Sequence, residues 1–242
     1  MRLEYLENKG KKWRVVIVTT LIFAVVFWFV LPKILNATIS LYTREGIEKK
    51  TVEMFGDKKF DDILVDELML VTFSYNARQP RIFSKYPSNR PENIYDVSLA
   101  DASQASAAAP TYFNPKVIGN EVLIDGGVIA NDPSFLAYLR SHYLYHMDNI
   151  RVFSIGTGQA IPKNISDPED VNVLTWLNNM ETLLMNAEIN THEFTITKML
   201  QAKDYHRFQY YFEEALPMDN VGKTNLGKLE DAANEMIKNY GT

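Results

Sequence analysis

Cysteine is missing from all 242 residues, which removes disulfides, thiolate metal sites and a cysteine nucleophile together. Gly-x-Ser-x-Gly is missing too, since none of the eleven glycines has a second glycine four positions away with a serine midway. That excludes a nucleophile elbow of this form, in which small neighbours leave a serine exposed on a tight strand-to-helix turn. No Lys/Arg run is interleaved with aromatics on one element, and the net charge is −5, so nothing points to nucleic acid as a partner. Internal repeats and low-complexity tracts are also lacking. What remains is the composition of a folded protein, 46% hydrophobic and 23% charged, enough for one sizeable core.

The most informative segment is LIDGGVIANDPS at 123–134, where an apolar strand ends in Asp125-Gly126-Gly127. Two readings fit it locally. Val122–Ile124, Asp125-Gly126 and Val128–Ala130 have the pattern of a two-stranded hairpin about a glycine turn. Alternatively, Asp125 is a catalytic carboxylate displayed at a strand end.

Around this segment the chain alternates helix-like and strand-like stretches, an α/β pattern. A helix is expected at 44–55 and a strand at Leu68–Phe73. Gln79-Pro80 should turn into Arg81–Phe83, Pro87–Pro91 should be a polar loop, and Ala100–Ala109 a small-residue helix stopped by Pro110. Pro133 should open a helix running to Tyr145, and Arg151–Ile155 reads as a buried strand ending at Gly156 and Gly158. Those two glycines suggest close backbone approach. They lack the third glycine and the immediate helix of a dinucleotide fingerprint. After a loop at 159–169, helical spacing marks Val171–Leu184, Asn190–Leu200 and Leu226–Tyr240. His142 and His146 stand at i and i+4, as zinc ligands can, but Tyr143 occupies the position of the usual glutamate and no third ligand is near in sequence. We read them as a solvated helix face and expect no metal and no cofactor.

At the N-terminus, Val15–Leu31 contains no charge. Extended to Leu35, the run reaches the roughly 20 residues needed to cross a hydrocarbon core, with Trp13 and Trp28 near its ends. A single-pass transmembrane helix at 15–35 is the expectation. A buried element of the domain and a secretory signal peptide are the alternatives. Lys9, Lys11, Lys12 and Arg14 in the basic tail 1–14 would keep the N-terminus on the cytoplasm-equivalent side. The organisation expected is tail 1–14, span 15–35 and one domain over 36–242.

Several separated motifs, in order, resemble the patatin-like phospholipases. ASQASAAAPTYF at 102–113 is similar to that family's small-residue helix running into Ala-Pro-Thr-Tyr-Phe. LIDGGVIANDPS is similar to its Asp-Gly-Gly segment followed by Asn-Asn-Pro, and FSIGTG at 153–158 to its Ser-x-Gly-Thr-Gly strand end. EGIEKKTVEMFGDKK at 45–59, LMLVTFSYNARQPRIFS at 68–84 and HRFQ at 206–209 add weaker likenesses.

The resemblance implies an α/β fold, a sheet flanked by helices, and a serine–aspartate dyad that hydrolyses lipid acyl esters with help from a glycine-rich oxyanion loop. Asp125 matches the dyad aspartate, and Gly126 and Gly127 match substrate-binding positions. The serine and the oxyanion loop have no counterpart, so the sheet is expected to be incomplete at its N-terminal half. An aspartate can orient or deprotonate a hydroxyl but cannot replace the activated serine, so these residues alone should not turn over esters. Three expectations follow for this domain: an inactive structural or lipid-binding subunit at a membrane, one half of a split hydrolase, or a truncated product. A parallel sheet lacking its first strands would expose an apolar edge and face, so a protein partner covering it is expected beside membrane lipid.

Overall fold

The computed structural model describes residues 40–85, 97–162 and 171–240. The candidate span and the basic tail lie outside the described residues, as does the polar loop at 87–91. Among the described residues no helix is long and apolar enough to cross a membrane.

The first unit is an antiparallel sheet with one helix packed on it and a second helix packed against the first. Helix α1 (Glu45–Phe55) carries Glu45 and Glu48 in its first turn, where carboxylates suit the helix dipole, and stops at Gly56, whose φ of 56° favours glycine. Strands β1 (Met69–Ser74) and β2 (Gln79–Ser84) form a hairpin, and β3 (Lys116–Ile118) and β4 (Glu121–Asp125) form another. The sheet order is β2-β1-β4-β3, antiparallel throughout.

In this unit the expectation of a parallel sheet is corrected. The tight turns decide it, because Arg78 and Gly119 take positive φ values of 55° and 59° that reverse the chain at once, leaving no room for a crossover. Pro80, expected in a turn, lies within β2 opposite Phe73. An edge strand tolerates a proline there because its outer side has no ladder to donate to.

Helix α2 (Leu99–Ser106) begins at Ser98, whose Oγ accepts the Asp101 N–H at 3.0 Å. Ala102 and Ala105 are fully buried, so the small side chains expected to permit close packing do so here against β1 and β4. Phe60, Phe83, Val97, Leu99 and Leu123 complete this core.

The second unit follows Asp125. One helical turn, α3 (Gly127–Ala130), leads to α4 (Ser134–Leu139), which continues as a π-helical segment, Arg140–Leu144. Strand β5 (Val152–Ile155) pairs in parallel with β7 (Tyr205–Phe208), and β6 (Gln159–Ala160) with β8 (Tyr211–Phe212). Helix α5 (Val173–Met199) is a single element where two helices were expected, and α6 (Lys223–Tyr240) ends the described chain. Tyr138, Ile196 and Tyr205 form the second core, with α4 against α5.

Candidate functional site

Strand β4 pairs with β3 through Glu121–Leu123 and with β1 through Leu123–Asp125, and the residues that follow, Gly127–Ala130, are helical. That excludes the local hairpin reading of 122–130, since no strand returns after the turn. The chain instead turns into α3, with the Gly126 carbonyl accepting N–H groups from Ile129 at 3.0 Å and Ala130 at 2.9 Å.

Asp125 stands where β4 meets this turn. Its backbone N–H donates to the Ala108 carbonyl at 3.0 Å, which ties it to the end of α2. Its Oδ1 accepts the Gly127 N–H at 2.6 Å. Among the described residues, Oδ2 has no hydrogen-bond partner in the site. Burial pushes the Asp125 carboxyl above the ordinary aspartate range, and the Gly127 N–H opposes that rise in part. The arrangement is an oriented carboxylate with one oxygen committed to the backbone and the other open.

The glycines are explained by space. A Cβ on Gly126 would lie 2.1 Å from the Val71 carbonyl oxygen on β1, and no neighbouring backbone can yield that far. The same carbonyl accepts the Ser106 hydroxyl at 2.8 Å, which locks α2, β1 and the Asp125 turn together. Gly127 is less confined, with its Cβ position 3.1 Å from Asp125 Oδ1 and 3.2 Å from Asn131 Oδ1. Thr111, in the Ala-Pro-Thr-Tyr-Phe segment, takes a φ of 72°, and its carbonyl accepts the Leu41 N–H at 2.9 Å.

A polar cluster beside this turn escaped the reading of the sequence. Asp132, only 2% exposed, accepts the Ser154 hydroxyl at 2.9 Å and the Ser134 N–H at 3.1 Å on Oδ1. Arg207 Nη1 lies 3.0 Å from Oδ2 and donates to Ser154 Oγ at 2.6 Å. Ser154 and Arg207 are register partners in the β5–β7 pair. From α5, Glu188 Oε2 accepts the Asn131 N–H at 3.0 Å, while its Oε1 pairs with His192 Nδ1 at 2.5 Å. Burial raises the carboxyl of Glu188, and burial followed by the Asp132 charge raises the phenol of Tyr205. The one available signal was Asp132 itself, standing where the resembled family has its second Asn.

The remaining candidates lie apart from this site. His142 stacks on Tyr138 within the π-helical segment and has Nδ1 3.0 Å from the Met147 carbonyl, while His146 lies beyond that segment with a φ of 53°. The two do not share an α-helical face, and among the described residues no group of three or more His, Cys, Asp or Glu is arranged to hold a metal. Gly156 and Gly158 do mark close approach. A Cβ would meet Gln209 Oε1 at 1.6 Å at the first and the Phe212 ring at 2.3 Å at the second.

Comparison with known proteins places this geometry. The sequence model of patatin-like phospholipases matches residues 23–138, which include Asp125. A cUMP-AMP-activated phospholipase of Escherichia coli is 30% identical over 225 residues, covering 87% of this chain and 69% of that protein. Patatin-like protein 1 of Arabidopsis thaliana is 24% identical over 86% of this chain and 58% of its own length. A cGAMP-activated phospholipase of Vibrio cholerae is 35% identical over 40% of this chain and 28% of its own length. The chain thus spans between about a quarter and about two thirds of these relatives. With the family match enclosing the aspartate turn and the first of these relatives aligned over most of the chain, the chain belongs to the patatin-like phospholipase family.

Proposed function

We propose that this chain carries the aspartate side of a patatin-like lipid acyl hydrolase site, does not hydrolyse esters by itself, and serves as a structural or lipid-binding subunit at a membrane. The observation that carries the reading is the contrast at Asp125. The carboxylate is oriented by Gly127 and half-buried, while the 242 residues contain no Gly-x-Ser-x-Gly to meet it. Loss of a nucleophile from a cooperating set leaves only the residual of binding and charge stabilisation.

A partner is part of this reading. Phe153 and Ile155 on β5 are 60% and 76% exposed, and among the described residues β5 pairs with β7 alone. A strand with apolar side chains and an unpaired edge is a hazard unless another element covers it. The membrane association rests on Val15–Leu31, although the family match begins at Phe23, inside that run.

The open Asp125 Oδ2 favours a second reading, in which a serine supplied from outside these residues completes the dyad and the site becomes an active lipid acyl hydrolase. Activity measurements separate the two. The chain purified alone in detergent is expected to hydrolyse neither nitrophenyl esters nor phospholipids, and hydrolysis there would contradict both readings. Hydrolysis by the native complex isolated through this chain, abolished by Asp125→Asn with assembly intact, would establish the second reading over the first.

A further inference from the structure

We infer that Arg207 is a positioning residue for Asp125, acting through its buried contact with Asp132 to fix the turn that holds the carboxylate. The inference rests on Asp125 being the working carboxylate of the site, as proposed above, but it concerns a mechanical link present whether or not the chain reacts.

The link is short and has little slack. Asp125 and Asp132 are joined by Gly126, the single turn of α3 and Asn131. At one end, Asp125 Oδ1 accepts the Gly127 N–H, and the side chain of Asn131 lies against the same glycine. At the other end, three separate elements grip Asn131 and Asp132. β5 supplies the Ser154 hydroxyl to Asp132 Oδ1, β7 supplies the Arg207 guanidinium to Oδ2, and α5 supplies Glu188 to the Asn131 N–H. His192 Nδ1 adds a contact of 3.3 Å to the Asp132 carbonyl. A four-residue helical turn cannot rotate at one end while both residues that follow it are fixed at the other.

Arg207 is the element of this grip that a neutral residue cannot replace. It bridges Asp132 and Ser154 at once, in a space where Asp132 is almost completely buried, so removing it leaves a carboxylate without its counter-charge. The charged and titratable groups facing Asp132 are Arg207 from β7, Glu188 and His192 from α5, and Tyr205, next but one to Arg207. Arg207 is the permanent cation among them. Asp132 would turn toward water, and the peptide that anchors α3 would move with it.

The test is carbon-detected NMR titration of the Asp125 carboxyl in the full chain, together with the Gly127 amide proton. Arg207→Ala and the near-isosteric Asp132→Asn are compared with Arg207→Lys, which keeps the charge but not the fork. In folded Arg207→Ala and Asp132→Asn chains, Asp125 is expected to titrate closer to an ordinary aspartate as water reaches it. The Gly127 amide should lose its hydrogen-bonded shift and exchange at least tenfold faster. Arg207→Lys should fall between these and the parent. An Asp125 titration and Gly127 amide identical to the parent's in a folded Asp132→Asn chain would overturn the inference, even if thermal stability had fallen. Because the readouts are taken at Asp125 and Gly127, the inference can fail while the proposed function stands.

Discussion

At Asp125 a strand end, a half-buried carboxylate and a backbone donor coincide, and the consequence is a defined pH dependence. Burial holds the folded-state carboxyl above the ordinary aspartate range, so between the two values the folded chain binds a proton that the unfolded chain has released. The stability this contributes is fully present below the unfolded value of about 3.9 and is lost as pH rises through the raised folded value. Asp125→Asn removes the titration but keeps an oxygen for the Gly127 N–H. Urea unfolding across the acid range should therefore show a slope in the parent that flattens in the variant. At neutral pH their stabilities should differ by less than about 1 kcal/mol. Equal slopes in the two chains would mean that Asp125 is not held out of water. The aspartate was legible in the sequence because a motif of three adjacent residues carries it. Its geometry was not, because the local pattern Val122–Ala130 serves a hairpin equally well, and only the helical turn at Gly127–Ala130 in the fold decides between them.

Among the elements, the contact of β4 with β1 and α2 makes one glycine indispensable and its neighbour merely useful. Gly126→Ala drives a methyl group into the Val71 carbonyl, and such overpacking against backbone costs about 3 kcal/mol. Gly127→Ala meets only side-chain oxygens at 3.1 and 3.2 Å and should cost about 1 kcal/mol or less. Chemical denaturation of the two variants checks the asymmetry, and similar losses at both positions would contradict the geometry of this turn. The helices at 45–55, 99–106 and 223–240 were readable from local pattern within a few residues, as were the strands at 69–74 and 152–155, although the latter is not the buried strand expected, since Phe153 and Ile155 are exposed. The antiparallel order of the first sheet was not readable, because the short turns at Arg78 and Gly119 impose hairpins where a parallel sheet was expected, whereas β5–β7 and β6–β8 are parallel. The Asp132–Arg207 contact was equally hidden, because it joins residues far apart in the chain and neither belongs to a pattern of local spacing.

For the whole molecule, two properties follow from what surrounds the described core. If Val15–Leu31 anchors the chain, carbonate-washed membranes should retain the full chain and release a version starting near Asn36. Release of both would instead favour burial of that run within the domain, in keeping with a family match that starts at Phe23. The central claim is that this patatin-like chain presents its aspartate without a nucleophile of its own. Treatment of the purified chain with a serine-reactive fluorophosphonate, read by intact mass, tests that claim most directly. The account predicts an unmodified mass, and stoichiometric labelling of a serine within these 242 residues would contradict it.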